Sequence, residues 1–167
     1  MAITVAQVEK WLANNDQLSI IEPLDKAQEI KRSISPEFFK KFTYKPKDRK
    51  TLGSEHNEQR AFVAWARENY DEYPQLDWLH AIPNGGYRTK KTSADLKAEG
   101  VVSGVADLFL PHPHGGKHGL YIEMKTGYNG LQESQREFLY HAWAQGYAIA
   151  ICYGCDAAIR AVEDYLR

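Results

Sequence analysis

Two short apolar segments each carry an acid, and that conflict constrains the fold more than any other feature of the chain. In Val105-Ala106-Asp107-Leu108-Phe109-Leu110, strand alternation puts Asp107 on one face with Val105 and Phe109. In Leu120-Tyr121-Ile122-Glu123-Met124-Lys125, Glu123 and Lys125 share a face with Tyr121, while Leu120, Ile122 and Met124 take the other. An acid inside such a strand costs free energy unless something compensates it. A divalent cation is one compensator, because hard cations prefer carboxylate oxygens. An internal Asp–Lys or Glu–Lys pair is another, and either strand taken alone fits both.

The chain is long enough to bury a core around those strands. Its 167 residues, 43% hydrophobic and 26% charged, suit one domain with a small extension and exclude a disordered chain. No run approaches the roughly 20 apolar residues of a membrane span. The N-terminus lacks a basic region followed by a long apolar stretch, so no secretory signal is expected. Two cysteines exclude a disulfide scaffold and a four-cysteine zinc site. A cytoplasmic protein is the expectation.

The net charge of −1 hides an uneven distribution. Lys31, Arg32, Lys40, Lys41, Lys45, Lys47, Arg49 and Lys50 face only Glu37 and Asp48 in the segment 31–50, a local charge of +6. Arg88, Lys90, Lys91 and Lys97 form a second basic group. Such clusters attract a phosphate backbone, although solvated surface lysines look the same in a sequence.

Punctuation along the chain predicts a helix over 4–14, with Val5, Val8 and Leu12 on one stripe. Ser35-Pro36-Glu37 is a helix start, and the basic 45–53 reads as a linker. The division is an N-terminal helical extension with a basic linker over 1–53, then a core over 54–167. In the core a helix is expected over 54–69 and a strand over 77–82, followed by a turn at Pro83-Asn84-Gly85-Gly86. A short helix then stops at Gly100, and strands follow at 105–110 and 120–125. Next come a helix over 131–145, a strand over 147–152 and a helix over 156–166. The expected fold is α/β, a mixed sheet of about four strands flanked by helices.

Two of the helices carry polar residues on faces that should meet the core. Gln135 interrupts the stripe Leu131, Gln135, Phe138, Ala142, and Glu55 and Gln59 head the stripe that continues to Phe62 and Ala66. Glu58 lies near the same edge. Such residues are often capping or boundary material, but here they flank an aspartate and a Glu-x-Lys pair.

In this order Glu55, Asp107, Glu123-Met124-Lys125 and Gln135 resemble the PD-(D/E)XK nuclease superfamily, and within it the VRR-NUC domain of the phage type. The likeness runs through Ser54-Glu55-His56-Asn57-Glu58-Gln59, Ile82-Pro83-Asn84-Gly85-Gly86-Tyr87-Arg88 and Leu96-Lys97-Ala98-Glu99-Gly100-Val101. It continues through Ser103-Gly104-Val105-Ala106-Asp107, Tyr121-Ile122-Glu123-Met124-Lys125, Gly146-Tyr147 and Tyr165-Leu166. It covers about residues 54–167. Ala106 departs from it, since the family often has proline before the aspartate.

The resemblance implies a restriction-endonuclease-like core and a metal-dependent DNA endonuclease, structure-specific for branched or Holliday-junction-like DNA. It implies Mg²⁺ or Mn²⁺ held by Asp107, Glu123, Glu55 and the carbonyl of Met124. The family pattern favours Glu55 over Glu58 as the helix ligand. Lys125 would orient or help deprotonate the attacking water, and Gln135 would position lysine, water or phosphate. Arg88 and Lys97 would contact the DNA backbone, which Asn84, Gly85 and Gly86 let approach closely. A homodimer and a phage or prophage origin in a bacterial host are further implications. The competing reading is a non-cleaving DNA-binding or structural module that keeps the fold. It does not explain three carboxylates near phosphates that they would repel.

Three other patterns carry less chemistry. His112, His114 and His118 lie in a Pro/Gly-rich loop with few acids and read as surface. Cys152-Tyr153-Gly154-Cys155 has redox spacing without a redox context. Trp11, Trp65, Trp78 and Trp143 could stack on bases, but Trp65 and Trp143 sit on amphipathic helices and read as core.

Overall fold

The structure is a computed structural model that describes residues 35–48, 52–83, 96 and 98–167. All of these belong to one compact unit, Ser35–Arg167. Five strands form a single mixed sheet: β1 (Thr43–Tyr44), β2 (His80–Ala81), β3 (Leu108–Leu110), β4 (Leu120–Lys125) and β5 (Ala148–Tyr153). Their order is β1-β5-β4-β3-β2. The β1–β5 and β5–β4 pairs are parallel, and the β4–β3 and β3–β2 pairs are antiparallel. Among the described residues the sheet is accompanied by α1 (Pro36–Phe39), α2 (Glu55–Glu68), α3 (Glu133–Ala144) and α4 (Cys155–Leu166).

The register follows from burial on both faces of β4. Leu120, Ile122 and Met124 point to one face with Leu108 and Leu110, and there they meet Phe62 and Ala66 of α2 and Ala157, Ala158, Ala161 and Val162 of α4. The small residues of α4 let that helix lie close on the sheet. On the other face Ile149 and Ile151 are buried, Tyr121 meets Phe138 of α3 edge-on at 5.0 Å, and Leu139 and Ala142 are buried on α3. A slip of one residue in β4 would carry its aliphatic set to the wrong face.

Several expectations changed. The strand expected over 77–82 is a 3-10 turn, Pro74–Trp78, followed by only two residues of strand, because Pro74 starts the turn and Leu76 is buried beneath it. The strand expected over 105–110 pairs only from Leu108, leaving Asp107 at its mouth with its carbonyl accepting from Ile82 N at 2.8 Å. The sheet has five strands rather than about four. The addition, Thr43–Tyr44, is too short for any periodic signal and is made by pairing with distant Ile151 and Cys152. The expected helix over 4–14 and the turn at 84–86 lie outside the described residues. Of the short helix ending at Gly100, the described end has Val101 N donating to Leu96 O at 2.9 Å and Gly100 at φ +96°.

One glycine couples two parts of the sheet's polar face. Gly104, at φ +87°, presses so close to the first turn of α3 that a Cβ would stand 2.5 Å from the carbonyl carbon of Ser134. Gly104→Ala therefore meets both an unfavourable backbone conformation and a backbone clash. It should cost about 1–3 kcal/mol, read as a clear drop in the thermal unfolding midpoint. An unchanged midpoint would show that the close approach is not required.

Candidate active site

One step beyond the Leu108–Ile122 pair, antiparallel register brings Asp107 level with Glu123, and both side chains take the same face. Lys125 follows two residues later on that face. Glu123 is 1% exposed and Lys125 5%, so an acid and a base are both inside the molecule. Lys125 Nζ donates to Glu123 Oε1 at 2.7 Å. A buried ion pair of this kind offsets its own desolvation only when further hydrogen bonds satisfy what remains.

Gln135 supplies one of those bonds. Its position follows from the start of α3, where Gln132 N donates to Gln135 Oε1 at 2.9 Å in a reciprocal capping box. The cap occupies the amide oxygen, so the NH₂ end faces the sheet and donates to Glu123 Oε1. The glutamine that breaks the apolar stripe of α3 is thus both a cap and a partner of Glu123.

The second oxygen of Glu123, Oε2, is buried and has no hydrogen-bond partner among the described residues. Asp107 Oδ2 accepts from Met124 N at 2.8 Å, which ties the mouth of β3 to β4. Burial pushes the Asp107 carboxyl up, against the Met124 amide and the Lys125 charge, with Glu55 raising it further. Burial and then the Asp107 charge push Glu123 up to about 7, against the pull of Lys125. Two facing carboxyls, one of them with a buried oxygen unpartnered among the described residues, offer hard oxygen donors of the kind divalent cations prefer.

The two helix glutamates have separate positions. Glu55 opens α2, is half-buried, and its charge reaches both Asp107 and Glu123. Glu58 is engaged elsewhere: Oε1 accepts from Gly53 N at 2.7 Å and Oε2 from Cys155 N at 2.8 Å. It thereby caps the first turn of α4, where a negative charge is favoured by the helix dipole. Gly154, just before that turn, donates its N–H to Lys125 O at 3.1 Å. No signal in the sequence near Glu58 points to this long-range cap.

Among the described residues no three His, Cys, Asp or Glu side chains are gathered closely enough to hold an ion. The expected convergence of Glu55, Asp107 and Glu123 is therefore not met as a closed cluster. Glu123 is on β4 and Asp107 at the mouth of β3, whereas Glu55 opens a helix whose core face packs on the opposite side of the sheet, near enough for its charge to reach both. Asn84, Gly85, Gly86, Arg88 and Lys97 lie outside the described residues. Met124 is placed through its backbone, as the donor to Asp107.

The remaining patterns resolve simply. The His112 carbonyl accepts from Tyr165 Oη at 2.6 Å and its ring stacks with His114 at 6.5 Å, while His118 packs on Tyr147 with ring centroids 5.5 Å apart. Cys152 and Cys155 are free thiols, and burial pushes both up, Cys155 to about 11, so neither is a ready nucleophile. Trp65 packs on the core beside Phe62 at 6.0 Å, Trp143 packs on Phe38 at 4.9 Å, and Trp78 is 70% exposed. Trp11 lies outside the described residues.

Comparison with known proteins gives one consistent result. The model of the VRR-NUC domain matches residues 40–156. A solved structure described as a VRR-NUC domain protein is 26% identical, with a TM-score of 0.58 over 69% of this chain and 89% of that one. No curated protein matches the chain.

The raised carboxyl of Glu123 has a consequence for stability. A folded-state pKa of about 7 against 4.5 for the free side chain means the folded state holds the proton more tightly. The contribution of Glu123 to stability is then full below 4.5 and is lost as pH rises to about 7, by up to the order of 3 kcal/mol. Chemical denaturation in chelator across that window measures it. Asp107→Asn, which keeps the acceptor for Met124 N but removes the neighbouring charge, should make the slope shallower. A stability that rises with pH over the same window would contradict the assigned environment.

Proposed function

The chain belongs to the VRR-NUC domain family, a nuclease-type domain, and from that premise we propose that it is a metal-dependent endonuclease that hydrolyses phosphodiester bonds in DNA. The observation that carries the reading is the buried Glu123 carboxylate, one oxygen held by Lys125 and Gln135 and the other without a partner beside Asp107. A fold seeking only stability would replace such a group by an apolar one. Asp107, Glu123, Glu55 and the Met124 carbonyl are the residues that would hold Mg²⁺ or Mn²⁺. When bound, such an ion lowers the pKa of a coordinated water and offsets charge on the phosphoryl oxygens.

The chain's own residues do the rest. Lys125 is a buried ammonium whose position is set by Glu123, so it can orient the attacking water and donate to a non-bridging phosphate oxygen. Gln135 donates to the same Glu123 oxygen as Lys125, and its own amide cannot turn while Gln132 N holds its oxygen. Asn84, Gly85 and Gly86, with Arg88 and Lys97, are the proposed contacts to the DNA backbone. The substrate we propose is branched or junction DNA, cut by a homodimer, because paired cuts across a junction need two sites at a fixed spacing.

A nicking assay on linear, flap and four-way-junction DNA tests this, with and without Mg²⁺ or Mn²⁺, at concentrations where light scattering gives the mass. Cleavage should require metal and favour the junction, and the mass should be that of a dimer. Asp107→Ala should lower turnover at least 10³-fold, roughly the cost of removing a main electrostatic group, with DNA affinity kept or raised. Lys125→Ala should lower turnover far more than affinity. Full activity in Asp107→Ala would sink the assignment.

A further inference from the structure

The outward side of α2 holds a second feature, which deepens the nuclease reading and rests on it. His56, Arg60 and Arg67 recur there at helical spacing, all exposed, and with Gln59, Val63 and Ala64 they line an open hollow of about 390 Å³. Ala64 carries only a methyl between the two arginines, so a rigid ligand can come close to the helix. His56 adjoins Glu55, whose charge reaches Asp107 and Glu123, so the stripe starts at the end of α2 nearest the proposed cleavage site.

The arginines differ in how they are held. Five are described, and three are engaged by the chain itself. Arg136 donates to Leu131 O at 2.9 Å, Arg160 binds Asp156, and Arg167 pairs with Asp164 at 3.5 Å. Arg60 and Arg67 make no hydrogen bond or ion pair among the described residues. The oxygens of Glu58 are turned inward to Gly53 and Cys155 and do not neutralise them. Glu68, one residue beyond Arg67, lies about 100° around the helix.

We propose that this stripe is a track for the DNA phosphate backbone, leading away from the cleavage site along α2. Seven residues of helix separate Arg60 from Arg67 by about 10 Å. Duplex DNA carries one charge per roughly 1.7 Å of axis, so the two guanidiniums reach different phosphates. Guanidinium suits this task because it grips phosphate through two parallel donors. An acidic protein surface is the other partner with matching charge, and the salt dependence of DNA binding decides against or for it.

The test measures binding of the full chain to labelled junction DNA in chelator, by fluorescence anisotropy, between about 50 and 200 mM salt. Each of Arg60→Gln and Arg67→Gln should make the log–log salt slope shallower by about 0.9, and the double variant by about 1.8. The double variant should bind at least tenfold more weakly at the low-salt end, with its unfolding midpoint and its turnover at saturating DNA within about twofold of wild type. Arg60→Lys with Arg67→Lys should restore the slope. A wild-type slope in the double Gln variant, in a chain that does bind DNA, overturns the track and leaves the nuclease reading standing. A wild-type chain that binds no DNA overturns both.

Discussion

The polar face of the sheet depends on a carboxylate that cannot leave. Glu123 lies in the middle of β4, between Ile122 and Met124, whose side chains are locked into the main core. Strand alternation therefore forces the acid onto the opposite face, and burial there raises its pKa. Lys125 on the same strand and Gln135 on α3 hold one oxygen and leave the other. Asp107, level with it across the ladder, adds like charge that the chain only partly offsets. The arrangement is poor for stability alone, and that cost is what the proposed cation site accounts for.

The supports of that face are backbone contacts. Met124 N fixes Asp107, Gly104 brings the approach to Asp107 against α3, and Gly154 N takes the carbonyl of Lys125. Glu58 then joins α2 to the start of α4 through the amides of Gly53 and Cys155. Helix α2 thus serves three sides at once: Phe62 and Ala66 in the core, Glu55 toward the acids, and Arg60 with Arg67 toward solvent.

Much of this was legible in the sequence because it follows from periodicity. Alternation placed Asp107, Glu123 and Lys125 on one face, and helical spacing marked Gln135 as the polar break in an apolar stripe. The longer helices lie close to their expected bounds, and Ser54, expected as the first residue of α2, is its cap, with Oγ accepting from Asn57 N at 3.3 Å. What could not be read was non-local. Thr43–Tyr44 becomes a strand only by pairing with β5, some hundred residues away. Glu58 and Glu55 have the same residue type near the same helix edge, and only the fold turns one to the Cys155 amide and the other toward Asp107. The 3-10 turn begins at a local break, Pro74, but it depends also on the burial of Leu76, which the local pattern does not show.

The central claim is that Asp107 and the unpartnered oxygen of Glu123 form one half of a cation site. Anomalous diffraction from a crystal soaked in Mn²⁺ tests it most directly. The account predicts a peak bonded to Glu123 Oε2 and to Asp107, at the roughly 2.0–2.6 Å of hard-cation ligands. It further predicts loss of that peak in Asp107→Asn. Manganese bound elsewhere, with Glu123 Oε2 still bare, would contradict it.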